Sequence, residues 1–253
     1  MTVAELRRAF AEPTTIRESP FELVKQLGHL RSEGGDEQTT QELILRALEH
    51  RELLGAASAV LDGLVRDVGL FPYLRPSELA TADRLAFEAH RAPDLDRFVF
   101  HHPQAKIFHA IMSGRSVVLS APTSFGKSLI IDAIVASRRF RNIVVVVPTL
   151  ALIDETRRRL AQFRGEYTIV TQAFQKPGAR NIFVMTQERA LENEHVGAVD
   201  FFVIDEFYKL SPRNAHDDRS ALLNQVFYSL SRKCKHFYLL GPGIQGLSED
   251  FRE

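Results

Sequence analysis

The 253-residue chain is 45% hydrophobic and 25% charged, an ordinary balance for a soluble globular protein with enough apolar surface for one large core or two small ones. Its single cysteine, Cys234, excludes a disulfide framework and a cysteine-based metal site. The most apolar stretch, Ile143 to Ile153, is too short for a membrane span of about 20 residues, and the charged start MTVAELRRAFAE is not a signal peptide, so the expectation is a cytoplasmic protein with no membrane partner. Formal net charge is zero but unevenly spread. Residues 1–100 carry 12 Lys+Arg against 17 Asp+Glu, and residues 101–253 carry 20 against 15. The basic excess of the second part is compatible with a polyanionic partner and too weak to require one.

Up to about residue 97 the pattern is helical, with apolar residues at three- and four-residue spacing. Gly34 and Gly35 mark a loop. Thr39 and Glu42 read as a capping box ahead of LILRALEHRELL, with Gly55 ending that helix. A second helix is expected through AASAVLDGLVRDV, a turn at FPYLRPSE, and a third helix through LATADRLAFEAH. This all-helical region (1–97) is expected either to shield a core or to dock a protein partner.

From residue 98 onward strand and helix alternate. Expected strands are SVVLS, NIVVVVP, EYTIV, NIFVMT, FFVIDE and HFYLLG, with LIDETRRRLAQF and SALLNQVFYSLS among the intervening helices. Near-continuous apolar strands separated by helices predict an α/β domain with a mainly parallel sheet covered on both faces. Ligands bind such sheets at the carboxyl ends of the strands.

The first of those ends carries Ala121-Pro122-Thr123-Ser124-Phe125-Gly126-Lys127-Ser128, between a strand and an apolar helix. The spacing matches a phosphate-binding loop, except that alanine replaces the first glycine. In such a loop backbone N–H groups cradle the phosphates, the lysine reaches the β/γ-phosphates and the hydroxyl binds Mg²⁺. Alanine fits wherever the first position does not need positive φ. The loop needs an acidic partner, and FFVIDE supplies Asp205 and Glu206, Asp205 lying 78 residues after Lys127. Asp205 can complete the Mg²⁺ shell begun by Ser128, and Glu206 can orient and deprotonate the attacking water.

APTSFGKS followed in order by PTLALIDE, TQER and VIDEFY resembles the first motor domain of superfamily 2 DExH/D-box helicases of the Ski-like branch. The likeness covers roughly residues 98–245. It implies a RecA-like fold over 98–253, ATP and Mg²⁺ as cofactors, ATP hydrolysis, and single-stranded DNA or RNA as the track. By position, Gln104 matches the adenine-reading glutamine, with Phe98 or Phe100 near the base. Pro148 and Thr149, then Thr186, Glu188 and Arg189, match two motifs that hold the nucleic-acid backbone. Read without those neighbours, the threonines would be helix caps and Arg189 a solvated charge.

Two positions depart from the family. Tyr208 stands where the named subfamilies have Asp or His, and Gly241-Pro242-Gly243 where many have Ser-Ala-Thr. The DEFYKL and LLGPGI pair resembles helicase components of bacterial antiphage defence systems such as Hachiman. The family's second RecA-like domain supplies arginines to the γ-phosphate, worth about 10³–10⁵ in rate where measured in GTPases. No such domain follows here, so a longer chain or a second chain is expected to complete the motor, and hydrolysis by this chain alone is expected to be weak. The rival expectation is a nucleotide-dependent nucleic-acid or protein-binding switch that does not unwind. A transporter-type ATPase is disfavoured because no LSGGQ-like signature is present.

Overall fold

The computed structural model describes residues 1–95, 98–193, 195–210 and 218–243. The chain forms two compact units, Met1–Ala92 with Asp96–Ala105, and Pro93–Leu95 with Lys106–Glu253. Among the described residues no helix is long and apolar enough to cross a membrane.

The first unit is helical: α1 (Val3–Ala11), α2 (Pro13–Glu18), α3 (Pro20–Ser32), α4 (Glu37–Glu49), α5 (Ser58–Asp67) and α6 (Thr81–Glu88). Prolines open α2 and α3, where the missing N–H has no helical partner to lose. Leu6, Phe10, Ile16, Val24, Leu27, Leu43 and Ile44 build its core at under 2% exposure. Within it, Arg51 is buried in a fork against Asp62, at 2.6 and 2.5 Å, and also reaches Glu78 at 3.1 Å.

Two local expectations are corrected. The cap of α4 is Asp36, whose carboxylate accepts from Thr39 N–H at 2.8 Å. Aspartate after the Gly34-Gly35 loop is the stronger acceptor for the first-turn donors, so Thr39 lies inside the helix and Glu42 pairs with Arg7 and Arg46. The capping box belongs instead to Thr2 and Glu5 at α1. Nor does α4 reach Gly55: it stops at Glu49 and gives way to a tighter 3₁₀ stretch, Arg51–Ala57, with Gly55 at φ 52°, ψ −126°. That backbone conformation suits only glycine.

The boundary of the units lies in α7 (His102–Met112). The second unit has strands β1 (Val117–Ser120), β2 (Asn142–Val146), β3 (Thr168–Val170), β4 (Asn181–Met185), β5 (Phe201–Asp205) and β6 (Phe237–Gly241). Helices α8 (Lys127–Ala136), α9 (Leu150–Leu160), α10 (Gln187–Glu192) and α11 (Asp218–Lys233) intervene. All pairings are parallel, in the order β1-β6-β5-β2-β4-β3. This is the α/β architecture that the alternating pattern predicts, and it agrees with the RecA-like fold that the resemblance implies. The four inner strands β6, β5, β2 and β4 are buried almost throughout. Because every strand points one way, all six carboxyl ends share one edge. The segments that follow β1, β2, β4, β5 and β6 there are APTSFGKS, PTLAL, TQER, EFYKL and PG.

Candidate nucleotide and nucleic-acid site

The phosphate loop leaves β1 and closes on α8. Gly126, at φ 77°, is the residue before the first helical turn, so the tight entry requires glycine there. Ala121 is not among the described non-glycine residues with positive φ, which are Asp94, Arg138 and Glu206. Its methyl group therefore costs the loop nothing. Lys127 Nζ donates to the carbonyls of Ala121 (2.7 Å), Gly241 (3.1 Å) and Pro122 (3.3 Å). Among the described residues its hydrogen-bond partners are backbone oxygens, weaker holders of an ammonium than phosphate would be. Thr123, Ser124 and Ser128 are exposed beside it.

Asp205 closes β5, and β6 lies between β1 and β5. Two interstrand spacings, about 10 Å, therefore separate the strand that feeds the loop from the strand that carries the carboxylate. Burial pushes the Asp205 carboxyl up, and the Glu206 carboxylate adds to this, while the Glu206 N–H and the cations Lys127 and Arg159 pull it down. Asp205 Oδ1 accepts from that N–H at 2.9 Å. Glu206 sits at φ 58°, a left-handed conformation that costs a non-glycine residue roughly 1–2 kcal/mol. Lys209 holds the turn, donating its N–H to the Glu206 carbonyl at 3.0 Å and pairing its ammonium with the Glu206 carboxylate. Ser128, Asp205 and the loop make a donor set of hydroxyl, carboxylate, ammonium and helix N–H groups that fits a hard cation with a polyphosphate.

Arg159 on α9 is a contributor that spacing does not reveal. It donates to the Ser128 carbonyl at 2.8 Å and pairs with Asp132 on α8, so it braces the first turn of the phosphate-loop helix. Burial pushes the Asp132 carboxyl up to about 6, with Arg159 opposing.

The expected backbone-binding residues cluster separately. Thr149 caps α9, accepting from Leu152 N–H at 3.3 Å. Thr186 occupies the N-cap position of α10 without a side-chain cap hydrogen bond and is buried. Arg189 donates to the Thr171 carbonyl at 3.0 Å. Arg219 of α11 ties the two motifs together, donating to the Pro148 carbonyl at 3.2 Å and to Glu188 at 3.3 Å. Burial raises the Glu188 carboxyl, but hydrogen bonds from Thr186 and Arg219 outweigh it and leave it lowered. Pro148, Gln187, Arg219, Asp205 and Lys209 line one cavity of about 70 Å³, which joins the acidic turn to both motifs.

Gln104 lies in the first unit, buried, its side-chain oxygen accepting from His101 N–H at 2.9 Å. Phe100 is fully buried there and Phe98 is 49% exposed. Cys234 is buried, its thiol pushed up by burial and donating to the Asp200 carbonyl.

Comparison with known proteins adds four findings. A family model described as DEAD/DEAH box helicase matches residues 101–239, and one described as Anti-bacteriophage protein B N-terminal domain matches residues 1–84. Anti-bacteriophage protein B of Escherichia coli K12 is 40% identical over 218 residues, covering 82% of this chain and 30% of that protein. The chain thus spans about 30% of the length of that relative. Among solved structures, a Sulfolobus solfataricus SWI2/SNF2 ATPase core in complex with dsDNA aligns at 18% identity and a TM-score of 0.43, over 56% of this chain and 31% of that one.

Proposed function

We propose, for a chain that belongs to the DEAD/DEAH box helicase family and carries its helicase-like ATPase module, that it binds and hydrolyses ATP as part of a nucleic-acid translocase acting in antiphage defence. One observation carries this reading. A lysine at a helix N-terminus and an Asp-Glu turn sit on the same sheet edge, two strands apart, with Lys127 reaching the carbonyl that ends the strand between them.

Bound Mg–ATP would supply the scissile phosphoanhydride and the metal charge. Lys127 would exchange its carbonyl partners for phosphate oxygens, which offer it a full counter-charge. Ser128 and Asp205 are the residues to hold the metal, Asp205 through water. Glu206 is the base that accepts the proton of the attacking water at a carboxylate oxygen, once Lys209 yields it. Gln104 is the proposed adenine reader, since an amide can both donate to N7 and accept from N6. Pro148, Thr149, Thr186, Glu188 and Arg189 are the proposed single-strand contacts, and the arginine for the transition state would come from a second RecA-like domain in cis or in trans. The helical first unit is proposed to dock a protein partner; the 40%-identical relative named for antiphage activity supports the defence setting.

A switch that never translocates is the second reading, favoured by the Phe207 and Tyr208 rings packed against Gly241, where the family couples hydrolysis to movement. The test is ATP turnover by this chain with and without single-stranded oligonucleotide. Slow, weakly stimulated turnover that Glu206→Gln abolishes, with ATP binding spared, is expected. Turnover equal in wild type and Glu206→Gln contradicts the assignment of the base.

A further inference from the structure

A groove of about 420 Å³ runs between α9 and the segment after β3, lined by Leu150, Arg157, Arg164, Thr171, Gln172 and Arg189 among others. Its charge is lopsided. Three arginines face a single carboxylate, Asp154, which is already paired with Arg157 and Arg158. Arg164 is exposed and makes no ion pair among the described residues.

The segment after β3 is irregular in backbone but firmly built. Gln175 Oε1 accepts from Thr171 N–H at 2.7 Å, from Gln172 N–H at 2.9 Å and from the Thr171 hydroxyl at 3.3 Å. The Thr171 carbonyl is held by Arg189. Between the two groove-lining glutamines this braced turn carries Phe174, 83% exposed, the highest exposure of any large hydrophobic among the described residues. A single exposed apolar side chain is unremarkable on most surfaces. An exposed phenyl ring on a side-chain-locked turn, whose flanking glutamines line a groove with three arginines, is a different arrangement.

We propose that Phe174 is a base-stacking platform for single-stranded nucleic acid whose phosphates lie along Arg157, Arg164 and Arg189. The inference rests on the nucleic-acid reading above and extends it to a side chain outside the motifs. The ligand chemistry follows from the pairing of ring and charge. A single strand offers a phosphate and an unstacked flat face at every nucleotide, whereas a duplex keeps its bases stacked on one another. A charged groove beside aromatic rings is the general design for sequence-tolerant single-strand binding.

The test uses the 253-residue chain and a fluorescent single-stranded oligonucleotide containing 2-aminopurine, titrated over a range of salt. Wild type should bind with quenching of the 2-aminopurine. Phe174→Ala should weaken binding at least about fivefold and lose the quenching, with the salt slope unchanged. Phe174→Leu should behave as Phe174→Ala, and Phe174→Trp should restore affinity and quenching. Arg164→Gln should instead lower the salt slope by about 0.7. Phe174→Ala with wild-type affinity and quenching, or Phe174→Leu binding as well as wild type, overturns the stacking role and leaves a protein partner for the ring. Absence of any binding by a wild-type chain that still binds Mg–ATP overturns the nucleic-acid reading itself.

Discussion

Lys127 Nζ and the carbonyl oxygen of Gly241 are 3.1 Å apart, joining the phosphate loop to the last residue of β6. The same carbonyl accepts from Ala121 N–H at 3.2 Å. On its Cα side, a β-carbon added to Gly241 would stand 3.0 and 3.1 Å from two carbons of the Phe207 ring and 3.6 Å from Tyr208. The two departures from the family pattern, at Tyr208 and at Gly241, are therefore one packing arrangement.

Gly241→Ala is expected to force that ring aside at a cost of roughly 1–3 kcal/mol, the usual penalty for overpacking a filled site. Thermal unfolding should show it as a fall in Tm. An unchanged Tm would mean that the Phe207 ring is free to move and that the glycine is not required by packing.

Tyr238 is fully buried on β6, and its hydroxyl has no hydrogen-bond partner among the described residues. Burial, aided by the Asp205 carboxylate, raises the phenol far above its ordinary range, so it stays neutral. A buried donor left unmade costs about 1–3 kcal/mol. Tyr238→Phe should accordingly stabilise the protein by roughly 1 kcal/mol. Calorimetric unfolding checks this, and a lowered Tm would reveal a partner for the hydroxyl.

Asp132 gives a pH dependence with a definite sign. Its carboxyl is raised by burial to about 6 in the folded state, above an unfolded value of about 3.9. The folded state thus favours the protonated form. That contribution is fully present below about pH 4 and is lost as pH rises through about 6. Relative to Asp132→Asn, wild type should lose on the order of 2–3 kcal/mol between pH 4 and pH 7.5. Denaturant unfolding of both proteins at several pH values measures it. Parallel stability curves would show that the Arg159 pair keeps the carboxylate ionised throughout.

How much of this was readable from residues alone depends on the range of the interaction. The six strands announce themselves as apolar runs, and the phosphate loop and the Asp-Glu turn as local spacings. The cap of α4 falls on Asp36 and not on the expected Thr39 because the Asp36 carboxylate is the oxygen that reaches the first-turn N–H. The helix expected to run to Gly55 ends at Glu49 because the chain tightens into 3₁₀ turns around the buried Arg51 fork, a tertiary contact. Arg159 on the Ser128 carbonyl, Arg219 between Pro148 and Glu188, and Phe207 against Gly241 join residues about 30 to 70 positions apart. No periodicity records such contacts. Gln104 was matched by position, and its burial against His101 N–H could be seen only in the fold.

The central claim is that Ala121 to Ser128 hold ATP, and the measurement that tests it most directly is calorimetric titration of Mg–ATP into wild type and Lys127→Ala. Lys127 makes no carboxylate pair among the described residues, so its removal breaks three hydrogen bonds to backbone carbonyls and no ion pair. A charge-assisted contact to phosphate is worth about 1.5–3 kcal/mol. Wild type should therefore bind, and the variant should bind at least about tenfold more weakly while unfolding at a similar temperature. Equal affinity in the two folded proteins would contradict the account.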